Sequence, residues 1–147
     1  MQSSIPASGP QAASALRRLL LIEDDPMVSR SLERAIGALR PELEIRTAGS
    51  AERALALLAE SAFDAAITDL NMPGLSGLVW LEKLRRECPS LVCVTHSSQL
   101  ESFGEDEVRR LSHGTFEKPA HASAMLDAID RLLLQRGVAA QAGLRSA

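Results

Sequence analysis

Residues 63–74 of the chain read Phe63-Asp64-Ala65-Ala66-Ile67-Thr68-Asp69-Leu70-Asn71-Met72-Pro73-Gly74. The short apolar run in this segment ends abruptly at a carboxylate, and a Pro-Gly turn follows at once. A second apolar run, Leu19-Leu20-Leu21-Ile22, ends in the same way in Glu23-Asp24-Asp25-Pro26. Two buried strands that each end in acid where a loop begins predict carboxylates that meet in space.

The composition indicates one ordinary globular domain. The chain has 147 residues, of which 46% are hydrophobic and 24% charged, and this is enough to build one full core. A net charge of −3 gives no general attraction to nucleic acid or to an anionic membrane, so neither is expected as a direct partner. No apolar run is long enough to cross a bilayer, and we interpret Arg17-Arg18 as the start of a strand, not as an export signal.

The two cysteines are expected to be free thiols. Cys93 lies inside the apolar run Leu91-Val92-Cys93-Val94, where a buried, unpaired thiol is the simplest interpretation for it and for Cys88. A reducing compartment, and therefore a cytoplasmic location, is expected.

The ends of the chain differ from its middle. Residues 1–16 and 137–147 are rich in small residues, Gln and Gly, with Ser and Pro at the amino end, and they predict a flexible tail on either side of a folded domain at 17–136. The carboxyl-terminal segment equally resembles the start of a linker. The sequence therefore leaves open whether the chain is a stand-alone protein or a piece of a larger one.

Strand-like and helix-like segments alternate between these ends. Short aliphatic or β-branched segments predict strands at about 18–23, 43–47, 64–68, 91–95 and 114–117. Helical spacing of apolar residues predicts helices at about 26–39, 50–60, 77–87, 105–112 and 121–136. Residues 97–104 are less typical of a helix than of a loop, so the fourth helix is expected to begin late.

A (βα)₅ alternation predicts a doubly wound parallel sheet in a flavodoxin-like three-layer sandwich, with strand order 2-1-3-4-5. Strands 1 and 3 are neighbours in that order, which brings Glu23 and Asp24 beside Asp69. Asp25 before Pro26 is typical of a helix N-cap, although a register with Asp24 and Asp25 as a metal-binding pair is the alternative. Ser50 is expected to cap the second helix.

Three carboxylates at one site require a positive charge among them. Ligands that are all oxygen suit Mg²⁺ or Mn²⁺, and no cluster of histidine and cysteine suggests zinc. Thr95 and Lys118 come at the ends of the fourth and fifth predicted strands and should face the same crevice. A cation, an ammonium, a hydroxyl and a nucleophilic carboxylate together form a site that accepts a phosphoryl group.

This set of residues resembles the receiver domain of two-component response regulators. The resemblance covers residues 17–136 and rests on Glu23-Asp24, Asp69, Asn71-Met72-Pro73-Gly74, Gly77, Thr95 and Lys118-Pro119. It implies that Asp69 is the phosphoacceptor, that Lys118 pairs with the phosphoryl oxygens and that Thr95 donates its hydroxyl to one of them. The implied donor is a sensor histidine kinase or a histidine phosphotransfer protein.

The same resemblance implies how Mg²⁺ is bound. Asp24 and Asp69 would bind the cation, Glu23 would act mainly through a water molecule, and the backbone carbonyl of Asn71 would complete the protein ligands. The resemblance also implies a cis peptide bond before Pro119. Gly77 is expected to allow the turn into the third helix.

Two positions depart from the common receiver pattern. Thr115 occupies the position where many receivers place an inward-flipping Tyr or Phe, and Phe116 should face the other side of the sheet. His96 follows Thr95 where a small residue is common, and we hypothesise that it slows the access of water or of a phosphatase. How switching would be communicated is therefore open.

Other conspicuous residues have structural interpretations. Trp80, Leu81 and Leu84 lie at helical spacing and are expected to pack in the core, whereas His113 and His121 are treated as surface residues. Charged residues of the fourth and fifth helices are expected to face solvent, with salt bridges between the subunits of a homodimer as the alternative: Arg109, Arg110, Asp127, Asp130 and Arg131.

Three functions compete at this stage. The favoured one is a receiver, not an enzyme, in which phosphorylation switches a surface that binds a downstream protein the sequence does not name. The second is a Mg²⁺-dependent phosphohydrolase similar to haloacid dehalogenases, which need a second acid where this chain has Asn71. The third is a docking module that uses the fold without phosphorylation.

Overall fold

The computed structural model describes the backbone of residues 15–146 and the side chains of residues 15–137. The strands are β1 (Arg18–Ile22), β2 (Glu44–Ala48), β3 (Ala65–Thr68), β4 (Val92–Ser97) and β5 (Gly114–Glu117). The helices are α1 (Pro26–Leu39), α2 (Ala51–Glu60), α3 (Gly77–Glu87), α4 (Glu105–Leu111) and α5 (Ala122–Ser146), with a 3₁₀ turn at Leu100–Phe103. Nearly all of the predicted amino-terminal tail lies outside the described residues.

The five strands form one parallel sheet in the order β2-β1-β3-β4-β5. The predicted fold class and strand order are confirmed. The central strands β1, β3 and β4 are almost entirely buried, as expected for parallel strands that are covered on both faces.

Alternation along the strands divides the core into two layers. Leu20 and Ile22 of β1 face one layer, which α2, α3 and α4 cover. Leu19 and Leu21 face the other layer, which α1 and α5 cover. The three-layer sandwich therefore follows from short aliphatic strands whose two faces are both apolar.

Side-chain caps fix the starts of the first two helices. The Asp25 carboxylate accepts a hydrogen bond from the Met27 amide at 2.9 Å, and Pro26 begins α1. The Ser50 hydroxyl accepts one from the Arg53 amide at 3.1 Å. Both predicted caps are confirmed, and Asp25 is thereby assigned to the helix and not to the acid site.

The last two helices differ in length from their predicted spans. The fourth begins late, as expected, because Gly104 adopts a φ of 78° between the 3₁₀ turn and α4. The fifth continues to Ser146, beyond its predicted end at residue 136 and through most of the expected tail. Ala, Gln, Leu and Arg dominate this extension, and their helix propensity outweighs Gly137. Within the described residues, no helix is both long and apolar enough to span a membrane.

Gly77 has a different role from the one predicted. A Cβ atom at this position would lie 2.7 Å from the Leu70 carbonyl oxygen and 3.0 Å from the ring of Phe103. Its φ is not positive, and it is Gly74, with a φ of 85°, that makes the preceding turn. Gly77 is therefore required for the close approach of α3 to the chain after β3, not for a turn.

His113 is half-buried and structural, so its interpretation as a surface residue is wrong. Its Nδ1 atom accepts a hydrogen bond from the Cys93 amide at 2.9 Å, and its own amide donates to the Cys93 carbonyl at 2.8 Å. The imidazole of His113 thus takes the place of the backbone carbonyl that a neighbouring strand would offer to the Cys93 amide, at the point where β5 begins. Burial and the charges of Arg85 and Arg136 lower the pKa of His113, which keeps the ring neutral and Nδ1 able to accept. His121 is exposed, as expected.

Replacing Gly77 with Ala should lower the free energy of unfolding by about 1–3 kcal/mol, because the added methyl group meets backbone that cannot move away. Urea denaturation measures the change. Gly37→Ala is the matched control, because Gly37 lies within α1 with nothing within 4 Å of its Cβ position. That variant should gain up to about 1 kcal/mol. Equal effects at the two positions would contradict the packing role.

The Cys93 thiol should make stability fall at alkaline pH. Complete burial raises the pKa of Cys93 from 9.0 to about 12, so unfolding releases its proton at any pH between these values. The contribution of the Cys93 thiol to the free energy of unfolding is therefore fully present below about pH 9. It is lost as the pH rises, by about 1.4 kcal/mol between pH 8 and pH 10. Urea denaturation of the wild type and of Cys93→Ala at both pH values tests this expectation. An equally steep decrease in the variant would refute it.

Candidate functional site

The acidic side chains converge at the carboxyl edge of the sheet. Residues Ile22 and Thr68 are paired in the parallel register of β1 and β3, so the residues that follow them emerge side by side. Carboxylate oxygens of Glu23, Asp24 and Asp69 all lie within 4.8 Å of one another. The predicted meeting of the acids is confirmed, and so is the register in which Asp24, not Asp25, belongs to the group.

Lys118 supplies the positive charge. Its Nζ lies 2.8 Å from Oε1 of Glu23 and 3.0 Å from Oδ2 of Asp69. It follows β5, two strands away from β3, and its long side chain extends back to the acids. The peptide bond between Lys118 and Pro119 is cis, as the resemblance implies.

Burial and charge shift the pKa values of this pair. Burial raises the pKa of Glu23, and the Asp69 charge adds to this, against the opposing effect of Lys118. Burial alone would lower the pKa of Lys118, but its hydrogen bonds and charge interactions with Glu23 and Asp69 outweigh burial and raise it. Three carboxylates around one ammonium formally leave two negative charges without compensation, so the site favours a further cation.

Asp69 is held from several directions. Its amide donates to the Ile22 carbonyl at 2.9 Å. Oδ1 accepts from the Asn71 amide at 3.1 Å, while Oδ2 accepts from Lys118. Only 4% of the residue is exposed, so the carboxylate is fixed before any partner binds.

The donor set fits Mg²⁺. All three side chains offer hard carboxylate oxygens, and the group includes neither histidine nor cysteine. Glu23 is buried, whereas Asp24 is exposed, which leaves one side of the cluster open to solvent and to a phosphate ligand. The Asn71 carbonyl remains a predicted ligand, and its amide is the group that contacts Asp69.

Comparisons with known proteins agree with this geometry. The family model described as the response regulator receiver domain matches residues 19–130. The chain belongs to this family. It is 31% identical over 116 residues to the transcriptional activator protein ExaE of Pseudomonas putida, in an alignment that covers 78% of this chain and 54% of ExaE. The chain thus spans about half the length of that relative.

Solved receivers share the fold. A receiver domain protein from Clostridium thermocellum superposes with a TM-score of 0.73 at 21% identity, covering 84% of this chain and 98% of that structure. The response regulator TrrA of Thermotoga maritima, solved in complex with Mg²⁺-BeF, superposes with a TM-score of 0.68 at 21% identity, covering 80% of this chain and 99% of that structure. At these identities the superpositions support the fold alone.

Thr95 is a predicted site residue, but its hydroxyl bonds to the neighbouring strand instead of pointing at the acid site. The residue is fully buried beside the receiver's acid site, but Oγ1 donates to the Gly114 carbonyl of β5 at 3.4 Å. This bond is long, so rotation about χ1 would cost little. The contact of Thr95 with a phosphoryl oxygen stays a prediction.

His96 borders a groove beside the acid site. It is 6% exposed, and its Nε2 accepts a hydrogen bond from the Ala120 amide at 3.3 Å. Burial and the Lys118 charge lower its pKa, in keeping with a neutral acceptor. The groove has a volume of about 460 Å³ and runs from Lys118 and Pro119 to Met27, which is 74% exposed. The proposed effect of His96 on access stays a prediction.

The position of Thr115 leaves space where a ring is common in receivers. A cavity of about 290 Å³ lies between β5, α4 and α5 and is lined by Thr115, Phe116, Arg109 and Arg131, among others. Phe116 packs against the layer formed by α1 and α5. The expectation that Phe116 does not replace the missing ring stays a prediction.

Trp80 is in the core, as predicted, but sequence reasoning missed its partner. The indole Nε1 donates to Oγ1 of Thr68 at 2.9 Å, and this hydroxyl donates to the Asp69 carbonyl at 2.9 Å. One signal was present in the sequence. Thr68 is a hydroxyl residue that ends a strand in which every other residue is aliphatic.

Asp24→Asn should stabilise the protein in the absence of divalent cations. Asp24 has no hydrogen bond or ion pair within the described residues, and it lies within 4.8 Å of two other carboxylates, so its removal relieves repulsion. We expect a gain of about 1 kcal/mol in chelator at low ionic strength, decreasing with added salt.

Asp25→Asn is the matched control for this prediction, because asparagine caps a helix as well as aspartate does. Its urea midpoint should stay close to that of the wild type. Loss of stability in Asp24→Asn would contradict repulsion within the cluster.

Proposed function

We propose that this receiver domain accepts a phosphoryl group on Asp69 in a Mg²⁺-dependent reaction and thereby switches a protein-binding surface in two-component signalling. The observation that carries the proposal is the position of the Asp69 carboxylate, which has Lys118 at 3.0 Å and oxygens of two further acids within 4.8 Å. A nucleophile, a fixed ammonium and a cation site are the parts that phosphoryl transfer requires.

The proposed donor is the phosphohistidine of a sensor kinase or of a phosphotransfer protein. A carboxylate oxygen of Asp69 attacks phosphorus, the bond between phosphorus and the imidazole nitrogen breaks, and the imidazole leaves with its electron pair and takes up a proton. The product is an aspartyl phosphate. Lys118 is within reach of the new phosphoryl oxygens because it already contacts the acceptor carboxylate.

The cation would be held by Asp24 and Asp69, by the Asn71 carbonyl and, through water, by Glu23. When bound, the cation would neutralise the negative charge on the transferred phosphoryl oxygens. Residues of the chain orient and shield the acceptor. Asn71 and Lys118 hold the Asp69 carboxylate by hydrogen bonds, and burial keeps bulk water away from it.

The output of the domain is a proposal as well. A downstream protein would recognise the phosphorylated surface, and a homodimer through α4 and α5 is a further candidate. Asp130 pairs with Arg40, the residue that follows α1, and Arg109 and Arg110 pair with Glu105 and Glu107 of their own helix. Because these pairs form within one chain, they compete with the alternative of salt bridges between subunits. The free thiols of Cys88 and Cys93 fit the cytoplasmic location that we propose.

Intact mass measurement tests the phosphoacceptor. The full chain is incubated with acetyl phosphate and Mg²⁺ beside Asp69→Ala and beside Asp25→Asn. The wild type and Asp25→Asn should each gain one phosphoryl group, and Asp69→Ala should gain none. Chelation of the cation should also abolish the gain.

Each alternative has its own outcome in this experiment. No mass gain, together with no binding of beryllofluoride, would favour the docking module. Steady turnover of a phosphomonoester that requires Asp69 would favour the phosphohydrolase. Asn71 argues against that function, because it occupies the position of the second acid that such enzymes need.

A further inference from the structure

A buried hydrogen-bond chain reaches the backbone of the phosphoacceptor from the far side of the acid site. It runs from Trp80 Nε1 to Thr68 Oγ1 and from there to the Asp69 carbonyl oxygen, with both distances 2.9 Å. Trp80, Thr68 and Asp69 are 1%, 0% and 4% exposed. Water therefore has little access to these three polar groups, and their hydrogen bonds depend on one another.

Threonine has the chemistry for the central position of this chain. A hydroxyl donates one hydrogen bond while it accepts another, so Thr68 can serve the indole and the carbonyl at once. Valine would fill the same volume in β3, but it would leave a buried indole N–H without an acceptor. The polar residue is thus explained by the two bonds it makes, not by packing.

The chain completes the fixation of Asp69. The amide of Asp69 is fixed by Ile22, and its carboxylate is fixed by Asn71 and Lys118. Its carbonyl accepts a hydrogen bond from Thr68 of β3, whose hydroxyl is in turn held by Trp80 of α3.

The following peptide is constrained by the same helix. The Leu70 carbonyl lies against Gly77 at the start of α3, so closely that a Cβ there would be 2.7 Å away. Helix α3 thereby restrains two successive carbonyls, those of Asp69 and Leu70. The next carbonyl along the chain is that of Asn71, the proposed cation ligand. A change in the peptide after Asp69 would therefore change the direction of this ligand.

We propose that Trp80 and Thr68 are positioning residues for the phosphoacceptor loop, holding the peptides between Asp69 and Asn71 in the orientation that cation binding and phosphoryl transfer require. The proposal rests on the proposed function and deepens it. Neither residue touches the reacting atoms. Loss of the hydrogen-bond chain should weaken Mg²⁺ binding and slow phosphorylation by acetyl phosphate, each roughly tenfold, as for other residues that orient metal ligands.

A double-mutant cycle separates positioning from stability. Thr68→Val leaves the indole N–H and the Asp69 carbonyl without the hydroxyl that both contact, and Trp80→Phe leaves that hydroxyl without its donor, so both single variants should be less stable than the wild type. The double variant Thr68→Val/Trp80→Phe removes the hydroxyl and the indole N–H together and leaves only the Asp69 carbonyl without its partner, so part of the stability lost in Thr68→Val should return. A positioning role predicts that Mg²⁺ affinity and phosphorylation rate do not return with it.

The measurements are Mg²⁺ affinity by calorimetry, urea denaturation and the rate of mass gain with acetyl phosphate, all on the full chain. Thr68→Ser keeps the hydroxyl and should stay close to the wild type in affinity and rate. Ile36→Ala is the packing control: it opens a cavity beneath α1, in the layer on the other face of the sheet, and should lower stability without a comparable loss of affinity.

The outcomes distinguish this proposal from the one on which it rests. A wild type that binds Mg²⁺ and becomes phosphorylated, beside a stable double variant with roughly tenfold losses in both, supports the positioning role. Wild-type affinity and rate in the stable double variant overturn that role and leave the phosphoacceptor intact. A wild type that neither binds Mg²⁺ nor gains mass overturns both.

Discussion

The parallel register of β1 and β3 is the constraint on which the site depends. Because Ile22 pairs with Thr68, the acids that follow the two strands emerge at one edge, close enough to repel one another. The hydrophobic burial of both strands holds this arrangement against the repulsion. Lys118 offsets only part of the negative charge, so the folded chain presents a site already prepared for a cation.

The sequence predicted the fold well because its signals were local. Short aliphatic runs, acids at their ends and the caps at Asp25 and Ser50 each depend on a few neighbouring residues, and each was found where expected. The convergence of Glu23, Asp24 and Asp69 followed from topology alone. The late start of α4 was also predictable, from residues that favour a loop.

The errors concerned contacts between distant parts of the chain. Gly77 was assigned to a turn, but its requirement comes from Leu70 and Phe103, which no local pattern links to it. His113 was treated as a surface residue because its partner, the Cys93 amide, belongs to another strand. The direction of the Thr95 hydroxyl and the contact between Trp80 and Thr68 depend on side-chain rotamers, which spacing does not determine.

The pairing of Arg40 with Asp130 joins the two long helices that cover one face of the sheet. It ties α1 to α5 at 2.5 Å, over a layer in which both helices are long. The opposite layer contains α4, whose seven residues are too few for a helix stable by itself, and a neighbouring 3₁₀ turn. A movement of the loops at the carboxyl edge therefore meets two long, ion-paired helices on one face of the sheet and the short α4 on the other. Rearrangement of α4 breaks fewer intrahelical hydrogen bonds than rearrangement of α1 or α5, because α4 has seven residues.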